Sequence, residues 1–317
     1  MSIKEITPQR YAELFGGLTT VFGSVEFTEL NRAKAESVKY LVEDDDAPAF
    51  GIIVGLRDGV WHCPFSAPFG EIAFSADALN GLKNSDEGGK SDVLRRLNRF
   101  VVGLRQFVGA GEFEIVMPPA FYDPERIGAS VEALRNEFSN GWEDVDFYYP
   151  LNQGFDFKSG LNRAARKNFN RAEAAGFQFE KTDDVARAYS VIKTNRDSKG
   201  YRLAMTLDDV LATIRVVQAD FFVLSLDGED VAAAIAYRVT PDVVQIIYWG
   251  DVPGYGEQRP MNILPYHIFG YYAERGISII DIGPSSTQGV RNEGLCRFKT
   301  SLGCLTTPKP TIHTRRK

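Results

Sequence analysis

The sequence predicts a mixed α/β (α+β) fold with two domains, each a mixed, mostly antiparallel sheet flanked by helices. Three observations support this prediction. The 317 residues are 44% apolar, which is enough for a packed core. Helical and β-branched segments alternate along the chain. The order hairpin, helix, strand, polar loop occurs once in each half, with an Asp-Gly turn at Asp58 and again at Asp227.

The first half opens with a helical segment within residues 5–35, where Thr7 and Pro8 suit the N-cap and the first helical position. Apolar residues at helical spacing predict a helix at 92–108, which Gly109 ends. The other elements expected here are strands at 38–42, 49–56 and 113–117, an extended segment at 61–74 and a polar loop at 84–91.

The second half repeats this order of elements without repeating the sequence itself. Helices are expected at 161–175, 184–193, 207–219 and 261–275, and strands at 177–180, 221–226, 231–239, 243–249 and 277–282. Gly176 and Gly276 follow two of these helices, as is typical of helix C-termini. Pro150, Asn152 and Gly154 cluster between the halves, so we expect domains at 1–152 and 153–317.

Composition argues against several classes of protein. A formal charge of −6, from 36 basic and 42 acidic residues, is unlike a nucleic-acid coat protein, and no DNA partner is expected. Three cysteines and three histidines lie without metal-ligand spacing, so no metal site is expected. No apolar run reaches about 18 residues, and the first residues lack an apolar signal core. We expect a cytoplasmic protein without a membrane span.

The segment 278–303 is the most informative part of the chain. A β-branched run ends on Asp281, Gly283 follows, and a polar loop containing Ser285 leads to a short helical segment with Phe298 and Lys299. A strand that ends at an acid and opens into a polar loop is where α/β proteins place their chemistry. The segment is therefore a candidate active-site wall, with Ser285 as a candidate substrate contact.

Four local patterns follow one another along residues 60–303. The first is Pro-Phe-Ser-Ala-Pro-Phe-Gly at 64–70 with the segment 118–122, and the second is the cationic helix at 161–172 that ends at Gly176. The third is Ile-Tyr-Trp-Gly at 247–250, followed by a helix from Pro260. The fourth is Asp-Ile-Gly at 281–283 with Gly-Leu-Cys-Arg-Phe-Lys at 294–299 and Gly303. In this order they resemble the FemABX branch of the GNAT acyltransferase superfamily. The resemblance implies two GNAT-like domains in tandem. It also implies transfer of an acyl or aminoacyl group from an activated donor to an amine, without a covalent enzyme intermediate.

The chain departs from this family in two places. It has no charged helical-hairpin arm of the kind that tRNA-dependent peptidoglycan ligases of the family often carry, which disfavours tRNA as the donor. Acetyl-CoA-dependent relatives have a Gln/Arg-x-x-Gly-x-Gly/Ala loop, whereas Gly254 and Gly256 here precede Gln258 and Arg259. The resemblance implies acyl-CoA as a donor co-substrate, no tightly bound cofactor, and a small-molecule amine or a cell-wall-precursor-like acceptor.

Attack of an amine on a thioester or ester needs a neutral amine, oxyanion donors already in place and close contact of the substrates, but no protein nucleophile. The absence of a Gly-x-Ser-x-Gly motif agrees with this. The resemblance places Phe298 and Lys299 at the donor end, with Lys299 as the cationic stabiliser; the alternative is a surface lysine beside a core phenylalanine. Asp281 is a candidate general base or amine-orienting group, or else it caps the turn at Gly283.

Further candidates for substrate binding lie in three places. The first is a cationic helix face, within an arc of about 140°, that suits a phosphate or carboxylate, or else is simply solvated. The second is a glycine-containing loop at a helix N-terminus that suits a phosphate, or else is an ordinary loop; two aromatic residues on the preceding strand wall a cleft or belong to the core. The third is an aromatic pair that lines an acceptor pocket, or else is plain packing. The residues of the cationic helix face are Arg163, Arg166, Lys167 and Arg171. Those of the loop are Gly254, Gly256, Gln258, Arg259 and Asn262, and the aromatic residues on the preceding strand are Tyr248 and Trp249. The aromatic pair is Tyr122 and Phe69.

Two other functions are open on the sequence. One is a catalytically degenerate GNAT-fold protein that binds a ligand, since a fold can keep its cleft after its chemistry is lost. The other is a nucleic-acid-associated protein that acts through the cationic helix face, which the acidity of the chain disfavours.

Overall fold

The computed structural model describes residues 3–84, 86–151 and 155–314. Its contacts divide the chain into two compact units. The first unit takes Met1–Val145, Gln288–Val290 and Thr307–Lys317, and the second takes Asp146–Thr287 and Arg291–Thr306. The expected division between residues 152 and 153 falls on positions outside the described residues. That 1–152 and 153–317 act as domains stays a prediction.

Antiparallel strands and helices alternate through the first half of the chain. In order they are β1 (Ile3–Glu5), α1 (Pro8–Phe15), α2 (Val25–Asn31), β2 (Ser37–Glu43), β3 (Phe50–Arg57), β4 (Val60–Cys63), β5 (Ala73–Phe74), α3 (Ala76–Asn84), α4 (Glu87–Val108), β6 (Glu112–Val116), α5 (Pro124–Glu137) and β7 (Ser139–Pro150).

The second half continues in the same manner. Its elements are α6 (Phe157–Gly160), α7 (Arg163–Ala174), β8 (Gln178–Thr182), α8 (Val185–Ser198), α9 (Leu207–Thr213), β9 (Ala219–Leu226), β10 (Glu229–Arg238), β11 (Val243–Asp251), α10 (Pro260–Ala273), β12 (Ile279–Pro284), β13 (Ser286–Thr287), β14 (Val290–Arg291), α11 (Glu293–Ser301) and β15 (Leu305–His313).

The sheet of the first unit has the strand order β1-β2-β3-β4-β6-β15-β7. β4 and β6 run parallel, and the chain between them crosses over through α3 and α4, while β6 pairs antiparallel with β15. Leu97, Val101 and Leu104 of α4 pack on Phe113 and Ile115 of β6 in one buried cluster. The apolar spacing of α4 is therefore the spacing of a core-facing stripe.

The second unit has the same plan. Residues 146–150 of β7 pair with β12, and the order continues β12-β11-β10-β9-β8. β11 and β12 run parallel and are joined by α10, whereas β8, β9, β10 and β11 pair antiparallel. Each unit is thus a mixed, mostly antiparallel sheet with helical flanks and, among the described pairings, one parallel pair. The predicted fold class is confirmed.

Both predicted hairpins occur, and their turn residues explain them. Asp58 and Gly59 have φ values of 50° and 79°, and Asp227 and Gly228 have φ values of 52° and 85°. Two successive residues with positive φ form a turn whose twist matches that of the flanking strands, and an Asp-Gly pair enters this region at low steric cost.

One expected loop is wrong. Residues 84–91 were expected as a polar loop, but α3 ends at Asn84 and α4 begins at Glu87. The Asp86 side chain accepts the backbone N–H of Gly89 at 2.9 Å, so the polar residues of this stretch cap a helix. The helix expected at 207–219 ends at Thr213, because Ala219 already starts β9.

Candidate active site

The parallel strands β11 and β12 separate soon after they meet. They pair only over Val243–Gln245 and Ile279–Asp281, although β11 continues to Asp251. Just past the last pair, each strand carries one extra residue relative to its outer neighbour: Ile247 in β11 against β10, and Ile282 in β12 against β7. A one-residue bulge bends its strand, so the two carboxyl ends diverge. The gap between the unpaired ends of β11 and β12 is called the cleft below.

A glutamine and an aspartate close the narrow end of this cleft. Gln245 and Asp281 are directly opposed, and Gln245 Nε2 donates to Asp281 Oδ2 at 2.7 Å. The backbone N–H of Gly283 donates to Asp281 Oδ1 at 2.7 Å, and the Asp281 side chain is fully buried. Gly283 has a φ of 74°, which favours glycine. Asp281 therefore caps the turn, which was one of the two predictions for this residue. Its role as a general base stays a prediction.

Lys299 of α11 anchors the diverging end of β12. It is 2% exposed, and its Nζ donates to the carbonyl oxygens of Ile282 at 3.0 Å, Gly283 at 2.7 Å and Pro284 at 3.2 Å. An ammonium group has three N–H donors, so all three are in use. Burial lowers the pKa of Lys299 to about 8, against the opposing effect of the negative charges of Asp146 and Asp281.

Lys299 is thus a buried side chain and not the surface lysine of the alternative prediction. Phe298, its neighbour on α11, is half-buried, and its ring lies 6.2 Å from that of Trp249 in an edge-on contact. α11 begins where the Asn292 side chain accepts the N–H of Leu295 at 3.0 Å. This cap fixes the start of the helix that presents both residues to the cleft strands.

Some buried polar side-chain atoms of the second unit have no hydrogen-bond partner among the described residues. Among them are the Oε1 atoms of Gln245 and Gln258 and the Oγ of Ser285. Ser285 is 2% exposed, and its backbone carbonyl accepts the N–H of Asn292 at 2.8 Å. A buried polar atom without a partner is unfavourable unless a ligand or water satisfies it, so these atoms are candidate ligand contacts.

The loop between β11 and α10 leaves a helix N-terminus accessible. Arg259 takes the N-cap position with a φ of 63°, and no side chain caps the helix there. A Cβ added at Gly254 or Gly256 would meet no atom within 4 Å, so the loop borders open space. The positive end of α10 therefore has no side-chain cap, although Asn262 inside the first turn is 8% exposed. That this end binds a phosphate stays a prediction.

Tyr248 points away from the site that contains Trp249. Its ring lies 5.7 Å from the guanidinium carbon of Arg196 of α8, and burial raises the pKa of its hydroxyl. Successive strand residues project to opposite faces, so the two predicted wall residues cannot line the same surface.

The cationic face of α7 is exposed, as both predictions for it require. Arg163, Arg166 and Lys167 share a shallow surface depression that none of the cleft residues line. Arg171 contacts Glu257 at 3.3 Å, which joins this face to the loop before α10. A ligand on that loop therefore has cationic side chains close by.

The aromatic pair of the first unit behaves as packing. The rings of Phe69 and Tyr122 lie 4.9 Å apart, and Phe69 also contacts Phe22 at 5.2 Å. Phe69 is fully buried. It therefore offers no surface to an acceptor in this arrangement, and the acceptor role of the pair stays a prediction.

Sequence reasoning missed two buried polar residues of this centre, Gln245 and Asp146. Asp146 is fully buried, and its Oδ1 accepts the N–H of Phe147 at 2.8 Å. Each is a single polar residue within an otherwise apolar stretch, Val-Val-Gln-Ile-Ile and Val-Asp-Phe. A polar side chain in such a run must find a partner in the core, which is the signal that was available.

Two further surveys concern metals and membranes. Within the described ranges, no group of three or more His, Cys, Asp or Glu side chains is arranged to hold a metal ion. None of the helices in these ranges combines the length and hydropathy needed to cross a bilayer.

The comparisons with known proteins agree with this geometry. Residues 157–299 match the family described as an acetyltransferase (GNAT) domain. The whole chain superposes on a crystal structure of FemX with a TM-score of 0.64 at 12% identity, covering 99% of this chain and 97% of FemX. Residues 157–299 therefore match a GNAT domain, and the chain as a whole has a FemX-like fold. The resemblance predicted from the sequence is confirmed.

Two other structures show the same fold as this chain. One is the C-terminal domain of a candidate lysylphosphatidylglycerol synthetase from Agrobacterium fabrum, with a TM-score of 0.61, 13% identity and coverage of 98% of this chain and 93% of that one. The other is a tandem GNAT protein from the clavulanic acid biosynthesis pathway, with a TM-score of 0.53, 10% identity and coverage of 99% and 98%. No curated protein matches the sequence.

Proposed function

We propose that this GNAT protein transfers an acyl or aminoacyl group from an activated thioester or ester to an amine. The observation that carries the proposal is the early separation of β11 from β12, with a bulge in each strand directly past the last pair. The match of residues 157–299 to an acetyltransferase domain supports the same reaction class.

Acyl-CoA is the donor that this cleft fits best. Past Gln245, β11 pairs with β10 on one side and has no strand partner on the other among the described pairings. An extended ligand with amide groups can hydrogen-bond to such an edge as an added strand does. The loop that follows β11 leads directly to the N-terminus of α10, whose positive end would attract a pyrophosphate.

The reaction itself needs no protein nucleophile. The amine nitrogen attacks the thioester carbonyl, a C–N bond forms, the C–S bond breaks, and the proton lost from nitrogen goes to the leaving thiolate. Lys299 would contribute positive charge beside the developing oxyanion. Because its three N–H groups are already bound to Ile282, Gly283 and Pro284, it would act by charge and by holding β12 in place.

The acceptor is proposed to be a small amine or a cell-wall-precursor-like amine. Aminoacyl-tRNA is a second donor, supported by the cationic face of α7 that Arg171 joins to the loop before α10. The unpartnered Oε1 of Gln245 and Oγ of Ser285 would accept N–H groups of whichever donor binds.

Two substitutions at one glycine test the donor site. Gly256→Ala adds a methyl group in open space, and Gly256→Asp adds a carboxylate in the same place. We expect wild type and Gly256→Ala to bind acetyl-CoA or a longer acyl-CoA alike. Gly256→Asp should bind at least roughly tenfold more weakly, because like charges repel. Binding is measured by calorimetry and turnover by release of the CoA thiol in the presence of amines.

Each outcome of this test decides a different point. Equal binding by both variants would refute phosphate binding at this loop. Stabilisation by aminoacyl-tRNA but not by acyl-CoA would favour the second donor. Tight acyl-CoA binding with no thiol release for any amine would favour the catalytically degenerate ligand-binding protein.

A further inference from the structure

One face of the first unit's sheet carries a row of ionisable side chains. Glu114 of β6 is directly opposed to His62 of β4 on one side and to His313 of β15 on the other. Opposed residues of neighbouring strands project from the same face of a sheet. Two of the three histidines of the chain therefore flank one carboxylate, with His62 Nδ1 3.6 Å from Glu114 Oε1.

This row is not packed into either core of the first unit. The alternate residues Phe113 and Ile115 point to the opposite face and are buried with α4. Tyr11 and Phe15 of α1 pack instead with residues of β2 and β3. The side chains of His62 and Glu114 each keep 27% of their surface exposed, so the row is open to a ligand.

The row forms the floor of a pocket of about 260 Å³. Glu112, Trp142 and Gln288 are also part of its lining, which includes no lysine or arginine. At about 30 Å³ per water molecule in the liquid, the space corresponds to roughly nine waters, the size of a small organic headgroup. Two carboxylates and no cationic side chain give the lining a negative formal charge, which selects a cation.

The orientation of His313 adds an acceptor to the pocket. Its Nδ1 lies 2.5 Å from the carbonyl oxygen of Thr314, and a carbonyl can only accept, so Nδ1 carries a proton, and Nε2 has a lone pair in the neutral ring. The ring lies over Gly141, where an added Cβ would come within 2.7 Å of its Cδ2. The Trp142 ring, 6.4 Å from that of His313, offers an aromatic face to a cation.

We propose that this pocket binds an organic ammonium group, such as the primary amine of a small molecule. Its N–H groups would donate to the Glu114 carboxylate and to His313 Nε2, beside the indole of Trp142. These directional acceptors suit a cation that carries N–H donors, and no group in the described ranges is arranged as a metal-binding cluster. The proposal does not depend on acyl transfer, so either can fail alone.

The experiment uses the whole chain with isotope-labelled histidine and records the NMR signals of the imidazole rings. The chain has three histidines, so each ring signal reports on one place in the fold. The probe is 1,4-diaminobutane, and 1,4-butanediol is the neutral match. We expect the diamine to shift the signals of His62 and His313 saturably, while His267 of the second unit stays unchanged. The diol and sodium chloride at equal ionic strength should shift none of them.

Matched variants assign the effect to this pocket. Glu114→Gln should weaken diamine binding roughly tenfold or more, whereas Glu132→Gln, an exposed change of equal charge on α5, should not. Gly141→Ala, which displaces the His313 ring without a change in charge, should also weaken it. Equal shifts with the diol, no saturation, undiminished binding by Glu114→Gln, or a response to Zn²⁺ alone would each overturn the proposal.

Discussion

At the scale of single residues, Lys299 holds the backbone at the end of β12. The pairing of β12 with β7 shifts by one residue at Ile282 and resumes at Gly283, and the Lys299 ammonium binds the carbonyls of 282, 283 and 284 across this bulge. A side chain with three donors meets three acceptors, and its charge is balanced by buried Asp146 and Asp281. Lys299 is therefore expected to matter for stability as well as for the proposed reaction.

We expect Lys299→Met to lower the free energy of unfolding by about 3–5 kcal/mol, because it leaves buried carboxylates and carbonyls without their partner. Urea denaturation followed by circular dichroism measures this. Lys167→Met, an exposed lysine on α7, is the matched control and should change stability by less than about 0.5 kcal/mol. If Lys299→Met keeps wild-type stability yet loses turnover, Lys299 acts on the substrate alone. A loss of no more than a few-fold in turnover would argue against any catalytic role.

At the scale of elements, local signals predicted the hairpins and the long helices, and long-range pairing decided the rest. Asp58 and Gly59 specify their turn by their own backbone preferences. β15 contains Pro308 and Pro310, which do not read as a strand, and it forms one only because β6 offers it a partner. α5 was missed although Asp123 and Pro124 are a regular helix start.

The residues of the candidate site also separate into those that the sequence could predict and those that depend on long-range pairing. Asp281 and the loop before α10 were predicted because each lies at the end or the start of an element, and Phe298 and Lys299 were predicted from the family resemblance. Gln245 was not found, since its significance depends on which residue of β12 lies opposite it. The register between two strands that are distant in sequence cannot be predicted from the sequence of either strand alone.

The face of α7 and the loop before α10 are elements that a phosphate-rich donor could bridge. We expect the double variant Arg166→Glu and Lys167→Glu to weaken binding of acyl-CoA by roughly tenfold or more, since Arg171 joins this face to the loop. Lys90→Glu with Arg99→Glu makes the same change in charge on exposed positions of α4 and should bind normally. Unchanged calorimetric affinity in the α7 variant would show that this face is merely solvated.

At the scale of the whole molecule, the two units are not two consecutive pieces of chain. Residues 307–317 return to the first unit, where β15 lies between β6 and β7. Thr311 and Ile312 pair with Val116 and Ile115, and the N–H of Met117 donates to the carbonyl of Pro310 at 2.9 Å. The first unit is therefore completed by the last strand.

We expect a fragment of residues 1–152 to lack a cooperative thermal transition, because β6 would lose β15 and leave its backbone groups unpaired. A fragment in which residues 304–317 follow Pro150 through a glycine–serine linker should regain the transition. Differential scanning calorimetry and amide proton spectra distinguish the two. A sharp transition in the shorter fragment would mean that β15 is dispensable.

The late return of β15 also bears on how the protein is made. β6 ends at Val116 and its neighbour begins at Leu305, so the ribosome adds about 190 residues between the two strands. At roughly 5–20 residues per second, β6 waits on the order of 10–40 seconds with an open edge. During that interval the chain of the second unit is synthesised, up to and including α11, before the first unit can be completed. A chaperone that shields strand edges would then act on the beginning of the chain until its end emerges.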